Sequence, residues 1–127
     1  MITEQIFCVA VALYFEASVE SFHGQLQIAN VIQNRVESPR YPNTPCKVIK
    51  QDKQFSFLNG IHSRNMITIK NYRNLLGPLT TAVFFDKYKP KYHSACHYAT
   101  IEINNNWTME YDMVFTTMWH SFYEGGC

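Results

Sequence analysis

The chain has 127 residues, 46% apolar and 17% charged. With five glycines and five prolines it cannot be disordered, collagenous or low-complexity, and its length suits one domain that buries its own core. The net charge of +1 hides an uneven layout: residues 1–34 carry −3, residues 35–93 hold all eleven basic side chains and carry +8, and residues 94–127 carry −4. A basic middle favours an anionic partner, but no block of five like charges is present, and a solvated face is the simpler reading.

Thr3 caps a helix that begins at Glu4. Phe7, Ala10, Val11 and Tyr14 follow helical spacing, and Ile6, Val9 and Leu13 are apolar too, so this helix belongs in the centre of the domain. It runs directly into Glu16. The apolar run Ile6–Phe15 is too short to span a membrane, and no basic residue precedes it, so it reads as a core helix rather than a secretory signal.

Ser21 caps a second helix over Phe22–Glu37. Phe22, Leu26, Ala29 and Val36 share one face, broadened by Ile28, Val31 and Ile32, while Gln25, Gln27, Gln33 and Asn34 fill the rest. Ser38-Pro39 stops it, because the residue before a proline avoids helical geometry. A stiff loop with Pro39, Pro42 and Pro45 follows, and Thr44-Pro45 opens a short helix carrying Val48 and Ile49.

Gln54–Phe57 alternates polar and apolar, and Asn59-Gly60 is a turn signal. A helix over Arg64–Leu76, with Met66, Ile69 and Leu76 inward, is expected to end at Gly77-Pro78, which opens another over Leu79–Tyr88. Cys96–Ile103 and Met113–Thr117 read as strands around the turn-rich Asn104–Asn106, and His120–Tyr123 alternates and extends the sheet.

Among groups able to do chemistry, Glu16 stands out. A carboxyl group at the end of an apolar helix, beside Tyr14 and Phe15, either is partly desolvated, which favours the protonated form that a general acid needs, or simply turns outward to water where the helix ends, the simpler reading from residue chemistry alone. Glu20 lies four residues on and would share its face if the helix continued; otherwise it is an acid just before the second helix. His93, Cys96 and His97 are close together, but no second ligand pair completes a zinc site, and no local signature supports a Cys96–His120 nucleophile. Tyr92, Tyr98, Trp107, Tyr111, Trp119 and Tyr123 crowd the last third, where rings either fill a small core or line a groove. Of the four cysteines, Cys8 reads as a buried thiol and Cys46 and Cys96 as possible partners near loop or strand starts; without an export signal, reduced thiols are expected.

Tyr14-Phe15-Glu16-Ala17-Ser18-Val19-Glu20 resembles the Y-x-E-A-R-G-E signature of cell wall hydrolases of the spore-cortex-lytic (SleB/CwlJ) type, which also occur in other bacteria and in phages. The resemblance continues in order through Gly24-Gln25, Ala29-Asn30-Val31-Ile32-Gln33-Asn34-Arg35-Val36, Ser38–Thr44, Cys46–Ile49, Gln54–Phe57, Ala95-Cys96-His97-Tyr98, Trp107 and His120-Ser121-Phe122-Tyr123. It departs at Ser18-Val19, where the family has Arg-Gly, at Phe57 for a tryptophan, and at Ala99 for a histidine.

The resemblance implies an α+β fold: a small lysozyme-like domain related to lytic transglycosylases, mostly helical, with a short β-hairpin or sheet in the C-terminal third. Residues 1–127 would form one catalytic domain that cleaves peptidoglycan glycan strands between N-acetylmuramic acid and N-acetylglucosamine. It implies Glu16 as the catalytic acid/base, with Glu20 in possible support and Tyr14, Gln54, Ser56, His97, Tyr98 and Trp107 on the substrate. No cofactor or metal is expected. The partner is the glycan strand, with no nucleic acid and no membrane insertion, and the protein is expected to be a monomer. It would be made in the cytoplasm without a signal peptide and reach the wall as a phage lysis or virion protein or with helper release. A hydrolytic muramidase, an N-acetylmuramoyl-L-alanine amidase and a non-catalytic wall-binding or virion-structural protein remain the alternatives.

Overall fold

The computed structural model describes residues 3–51, 69–101 and 110–127, with the backbone alone over 69–73. The expected helix start at Arg64, with Met66, and the alternation at Gln54–Phe57 lie outside the described residues. Four helices, α1 (Glu4–Ala17), α2 (Phe22–Glu37), α3 (Pro45–Gln51) and α4 (Ile69–Tyr88), precede three strands, β1 (His97–Thr100), β2 (Asp112–Thr116) and β3 (His120–Glu124).

Both expected caps form. The Thr3 hydroxyl accepts the Ile6 N–H at 3.2 Å, and the Ser21 hydroxyl accepts the Gly24 N–H at 3.2 Å. Helix α1 is the axis of the molecule, with Ala10, Val11, Ala12 and Leu13 fully buried, and α2, α3 and α4 pack around it. This follows from its sequence, which is apolar on nearly every side.

Gly77-Pro78 does not end a helix; Pro78 lies inside α4. The buried positions Leu75, Pro78, Thr81, Ala82 and Phe85 form one stripe that runs through the proline, so packing on α1 overrides the local stop signal. Gly77 helps, since a residue without Cβ escapes much of the clash that proline imposes on its predecessor. The Thr80 and Thr81 hydroxyls bond back to the Leu76 and Gly77 carbonyls at 2.8 and 3.1 Å. Leu76, expected inward, is exposed, and Leu75 takes its place in the core.

Helix α2 departs from its expected amphipathic pattern. Phe22 is exposed and packs edge-on against Phe84, with ring centroids 5.2 Å apart. Gln25, Gln27, Asn30, Asn34 and Arg35 are buried instead. The cause is the irregular backbone at 92–96, which has no ladder partner and must bond elsewhere. Asn30 Oδ1 accepts the Tyr92 N–H at 2.8 Å, Asn34 Nδ2 donates to the Ala95 carbonyl at 2.8 Å, and Arg35 Nε donates to the Cys96 carbonyl at 2.7 Å. Arg35 also lies over the Tyr41 ring, so this member of the basic middle is a core group and not part of a solvated face.

The sheet is antiparallel in the order β1-β3-β2. His120–Glu124 joins the sheet as its alternation implies, and it takes the central place. That is why β3 is buried over His120–Tyr123 while β2 is exposed along its length. Strand β1 stops at Thr100, short of the expected Ile103.

The expectation of reduced thiols is overturned, and the Cys46–Cys96 pairing left open by the sequence does not form. Disulfides join Cys8 to Cys46 and Cys96 to Cys127, with Cα separations of 5.3 and 5.7 Å. Cys46 sits in the first turn of α3, and the packing of α3 on α1 brings it to Cys8. Cys96 is thereby removed as a metal ligand or nucleophile.

Candidate active site

Glu16 occupies the last turn of α1 and is half-buried, between exposed Phe15 and fully buried Ala17. The helix ends one residue later. The Glu20 N–H turns back to the Ala17 carbonyl at 3.0 Å, and Gln25 Nε2 donates to the same oxygen at 3.3 Å. Glu20 thus stands outside α1, immediately before the Ser21 cap, and the shared helical face with Glu16 does not form. Val19 keeps an ordinary backbone, since Lys89 is the one non-glycine residue with positive φ among the described residues. Replacing Arg-Gly by Ser18-Val19 therefore strains nothing in this turn.

Glu20 is 6% exposed, and one of its carboxylate oxygens takes two bonds. Its Oε2 accepts the His120 Nδ1–H at 2.6 Å and also the Thr117 hydroxyl. Carboxylate and ring face each other inside the protein, where such a bond is strong and the loss of either partner is costly. The hairpin turn between β2 and β3 presents both donors: the Thr117 N–H donates to the His120 carbonyl at 2.9 Å, and the Thr117 hydroxyl accepts the His120 N–H at 3.1 Å. Glu20 reaches them only because it passes across α2 at Gly24. A Cβ at Gly24 would lie 2.5 Å from Glu20 Oε1 and 2.8 Å from Glu20 Cβ.

The other expected site residues do not share one surface. Tyr14 is half-buried, edge-on to Phe15 at 4.8 Å. Tyr98 is buried, with its ring 5.6 Å from that of His120. His97 alternates to the opposite face of β1, where it stacks on Tyr111 at 4.8 Å. Gln54, Ser56 and Trp107 lie outside the described residues.

His93, considered above as a ligand, is a buried structural group. Its Nε2–H donates to the Gln27 carbonyl at 3.3 Å and its Nδ1 accepts the Ala95 N–H at 3.1 Å, an arrangement that requires the neutral ring. Burial holds its pKa below the usual histidine value, against the raising influence of the Gln27 carbonyl.

A hollow of about 300 Å³ opens beside Glu20, walled by the cap residue Ser21, by His23, Gly24 and Gln27 of α2 and by Phe115–Trp119 of the hairpin. Sequence reasoning missed Thr117 and Gln27, which carry no local signal. His120 and Gly24 stood inside recognisable segments, but their meeting with Glu20 depends on the fold.

The geometry has counterparts. Residues 19–123 match the family model for cell wall hydrolases. The catalytic domain of the germination-specific lytic transglycosylase SleB from Bacillus anthracis has a similar structure, with a TM-score of 0.75 at 23% identity over 94% of this chain and 93% of that one. At that identity the likeness carries the fold, in agreement with the lysozyme-like α+β architecture. No curated protein matches the chain. The matched segment takes in Glu20, Gly24, Gln27, Thr117 and His120, and Glu16 stands just ahead of it. With most of its length matched, the chain belongs to the cell wall hydrolase family.

Proposed function

We propose that the chain, as one monomeric catalytic domain, cleaves peptidoglycan glycan strands as a lytic transglycosylase, with Glu16 as its acid/base. The observation that carries this reading is the division of labour between the two carboxyl groups. Glu20 is buried and committed to Thr117 and His120, whereas Glu16 is half-buried in the last turn of α1, at the position of the family signature's first glutamate. One working carboxyl group suits a reaction that needs no second carboxylate, unlike the usual paired arrangement.

Protonated Glu16 donates to the glycosidic oxygen between N-acetylmuramic acid and N-acetylglucosamine, and the bond to the muramoyl C1 breaks. The resulting carboxylate then takes the proton of the muramoyl C6 hydroxyl. That oxygen closes on C1 to give the 1,6-anhydro product, and Glu16 is protonated again. Glu20, His120 and Thr117 hold the α1–α2 turn in place beneath it. Tyr14, Gln54, Ser56, His97 and Trp107 are assigned to the glycan by position in the family's motifs, and Tyr98 supports His120. Two disulfides fit work at the cell wall, beyond the reducing cytosol.

Digestion of purified peptidoglycan by wild type and Glu16→Gln, with products read by mass spectrometry, tests the proposal. Anhydromuramoyl ends from wild type alone are expected, with at least a 100-fold slower variant. Reducing muramoyl ends would replace the transglycosylase by a hydrolase using the same acid. Cleavage retained in Glu16→Gln would remove Glu16 from the mechanism.

A further inference from the structure

The last carbonyls of a helix have no partner inside it, and when buried they need donors from elsewhere. At the end of α1 the usual solutions are missing. Its last turn carries no basic side chain, and Ser18 keeps a right-handed backbone, so no left-handed cap closes the helix. The Ala17 carbonyl, on a residue with no exposed surface, takes the Glu20 N–H at 3.0 Å and Gln25 Nε2 at 3.3 Å instead. A carbonyl only accepts, so the amino end of the Gln25 amide must face Ala17 and its oxygen must point away. That oxygen meets the Thr81 hydroxyl of α4 at 2.8 Å. The hydroxyl also lies 3.1 Å from the Gly77 carbonyl, but Gln25 is the nearer acceptor. Gln25 and Thr81 are 6% and 1% exposed, so little water competes for these bonds.

A relay of directed bonds thus runs from α4 through a side chain of α2 to the residue that directly follows Glu16. Unanchored helix ends fray, and a carboxyl group on a fraying turn has no fixed position. Misplacing a reacting group by about 1 Å costs up to about 100-fold in rate. We infer that Gln25 and Thr81 are positioning residues: they cap α1 from outside and hold the Glu16 carboxyl group in one place. Both are buried, so neither touches the glycan; they act through the backbone at Ala17. The inference deepens the reading of Glu16 as the acid and rests on it.

The test combines turnover with a direct view of Glu16 in the full chain. On soluble, uncross-linked glycan strands, Gln25→Met should lower kcat about 10- to 100-fold and Thr81→Val about tenfold, with KM changed by less than roughly twofold. Thr81→Ser keeps the hydroxyl and should restore most of the rate. The double variant should be no slower than Gln25→Met, as expected of two residues acting through one path. Rates are compared below the melting temperature of each variant, and if Gln25→Met does not fold, Thr81→Val against Thr81→Ser decides. The carbon-13 resonance of the Glu16 carboxyl group, identified by its absence in Glu16→Gln, should move in Thr81→Val and stay in Thr81→Ser. Lower melting temperatures with kcat and the resonance unchanged would overturn the inference, leaving a pair that only supports the fold. A fall in kcat with an unmoved resonance, or no recovery in Thr81→Ser, would overturn it as well. A moved resonance with unchanged kcat would uphold the relay and remove Glu16 as the acid instead.

Discussion

Around α1 the protein is held by apolar side chains: Val11, Leu13, Leu26, Ile28 and Ile49 are almost wholly buried, and helices close over them from three directions. The sheet is attached differently. Its approach segment hangs on the side chains of Asn30, Asn34 and Arg35, and its hairpin is tied to the α1–α2 turn by Glu20, Thr117 and His120. Apolar packing tolerates small adjustments, whereas directed bonds to buried carboxylate and amide groups fail when one partner moves. The helical part is therefore a scaffold, and the polar seam fixes where the sheet stands against the end of α1.

The two disulfides divide along the same line and give the largest expected effect. Cys8–Cys46 clamps α1 to α3 inside the scaffold, and Cys96–Cys127 pins the chain's end to the start of β1. Their sequence separations of 38 and 31 residues imply similar stabilisation by loop closure, roughly 4 kcal/mol each. Urea unfolding of Cys8→Ala/Cys46→Ala and of Cys96→Ala/Cys127→Ala should show comparable losses. Native-state hydrogen exchange should separate them. The second variant is expected to open β1 and β3 while α1 stays protected. Early opening of α1 in that variant would erase the distinction between scaffold and sheet.

Gly24→Ala strikes the seam itself. The added methyl would overlap Glu20 Oε1 and Cβ, so the Glu20 side chain must leave Thr117 and His120 or α2 must shift. A loss of about 1–3 kcal/mol is expected. The nitrogen chemical shifts of the His120 ring should change, together with a drop in peptidoglycan cleavage. Unchanged His120 resonances would mean that Glu20 finds another route to the hairpin.

What was legible in the sequence follows this same division. Helices α1, α2 and α3 could be read with their caps because Thr3, Ser21 and Thr44-Pro45 act locally, and the greasy circumference of α1 announces its central place. Glu16 draws notice at the end of that helix, but its assignment as the acid comes from the resemblance of Tyr14–Glu20 to the family's signature. The seam was not legible. Gln25 and Asn34 look like an outer face until the fold uses them, Asn34 by the segment at 92–96, and Glu20 meets His120 across 100 residues of chain. Gly77-Pro78 misled for the opposite reason, a strong local signal overruled by the stripe from Leu75 to Phe85.

A pH experiment probes the seam at His93. Its pKa in the folded protein lies below the ordinary value of about 6.5, because burial disfavours the imidazolium. The unfolded chain therefore binds the proton more readily. The stability due to the neutral ring is complete above about pH 6.5 and is lost as the pH falls from there toward the folded value. Urea midpoints measured from pH 7.5 down to 5 should decline for wild type and decline less for His93→Gln. Parallel curves would show that His93 takes up its proton equally in the folded and the unfolded chain, and that other groups set the acid limit.

The smallest effect is expected at Lys89, where scaffold gives way to seam. Lys89 has φ of 43°, a left-handed conformation that crowds any Cβ, and its N–H donates to the Phe85 carbonyl at 2.7 Å to close the last turn of α4. Glycine adopts this conformation without crowding but gives the unfolded chain more freedom, and the two effects partly cancel. Lys89→Gly should therefore raise stability by about 0.5–1 kcal/mol in urea unfolding, with no change in cleavage. If cleavage fell while stability rose, the path of the chain from α4 into Tyr92 and His93 would be part of what holds the hairpin against Glu20, and the seam would begin at the helix end rather than at Asn30.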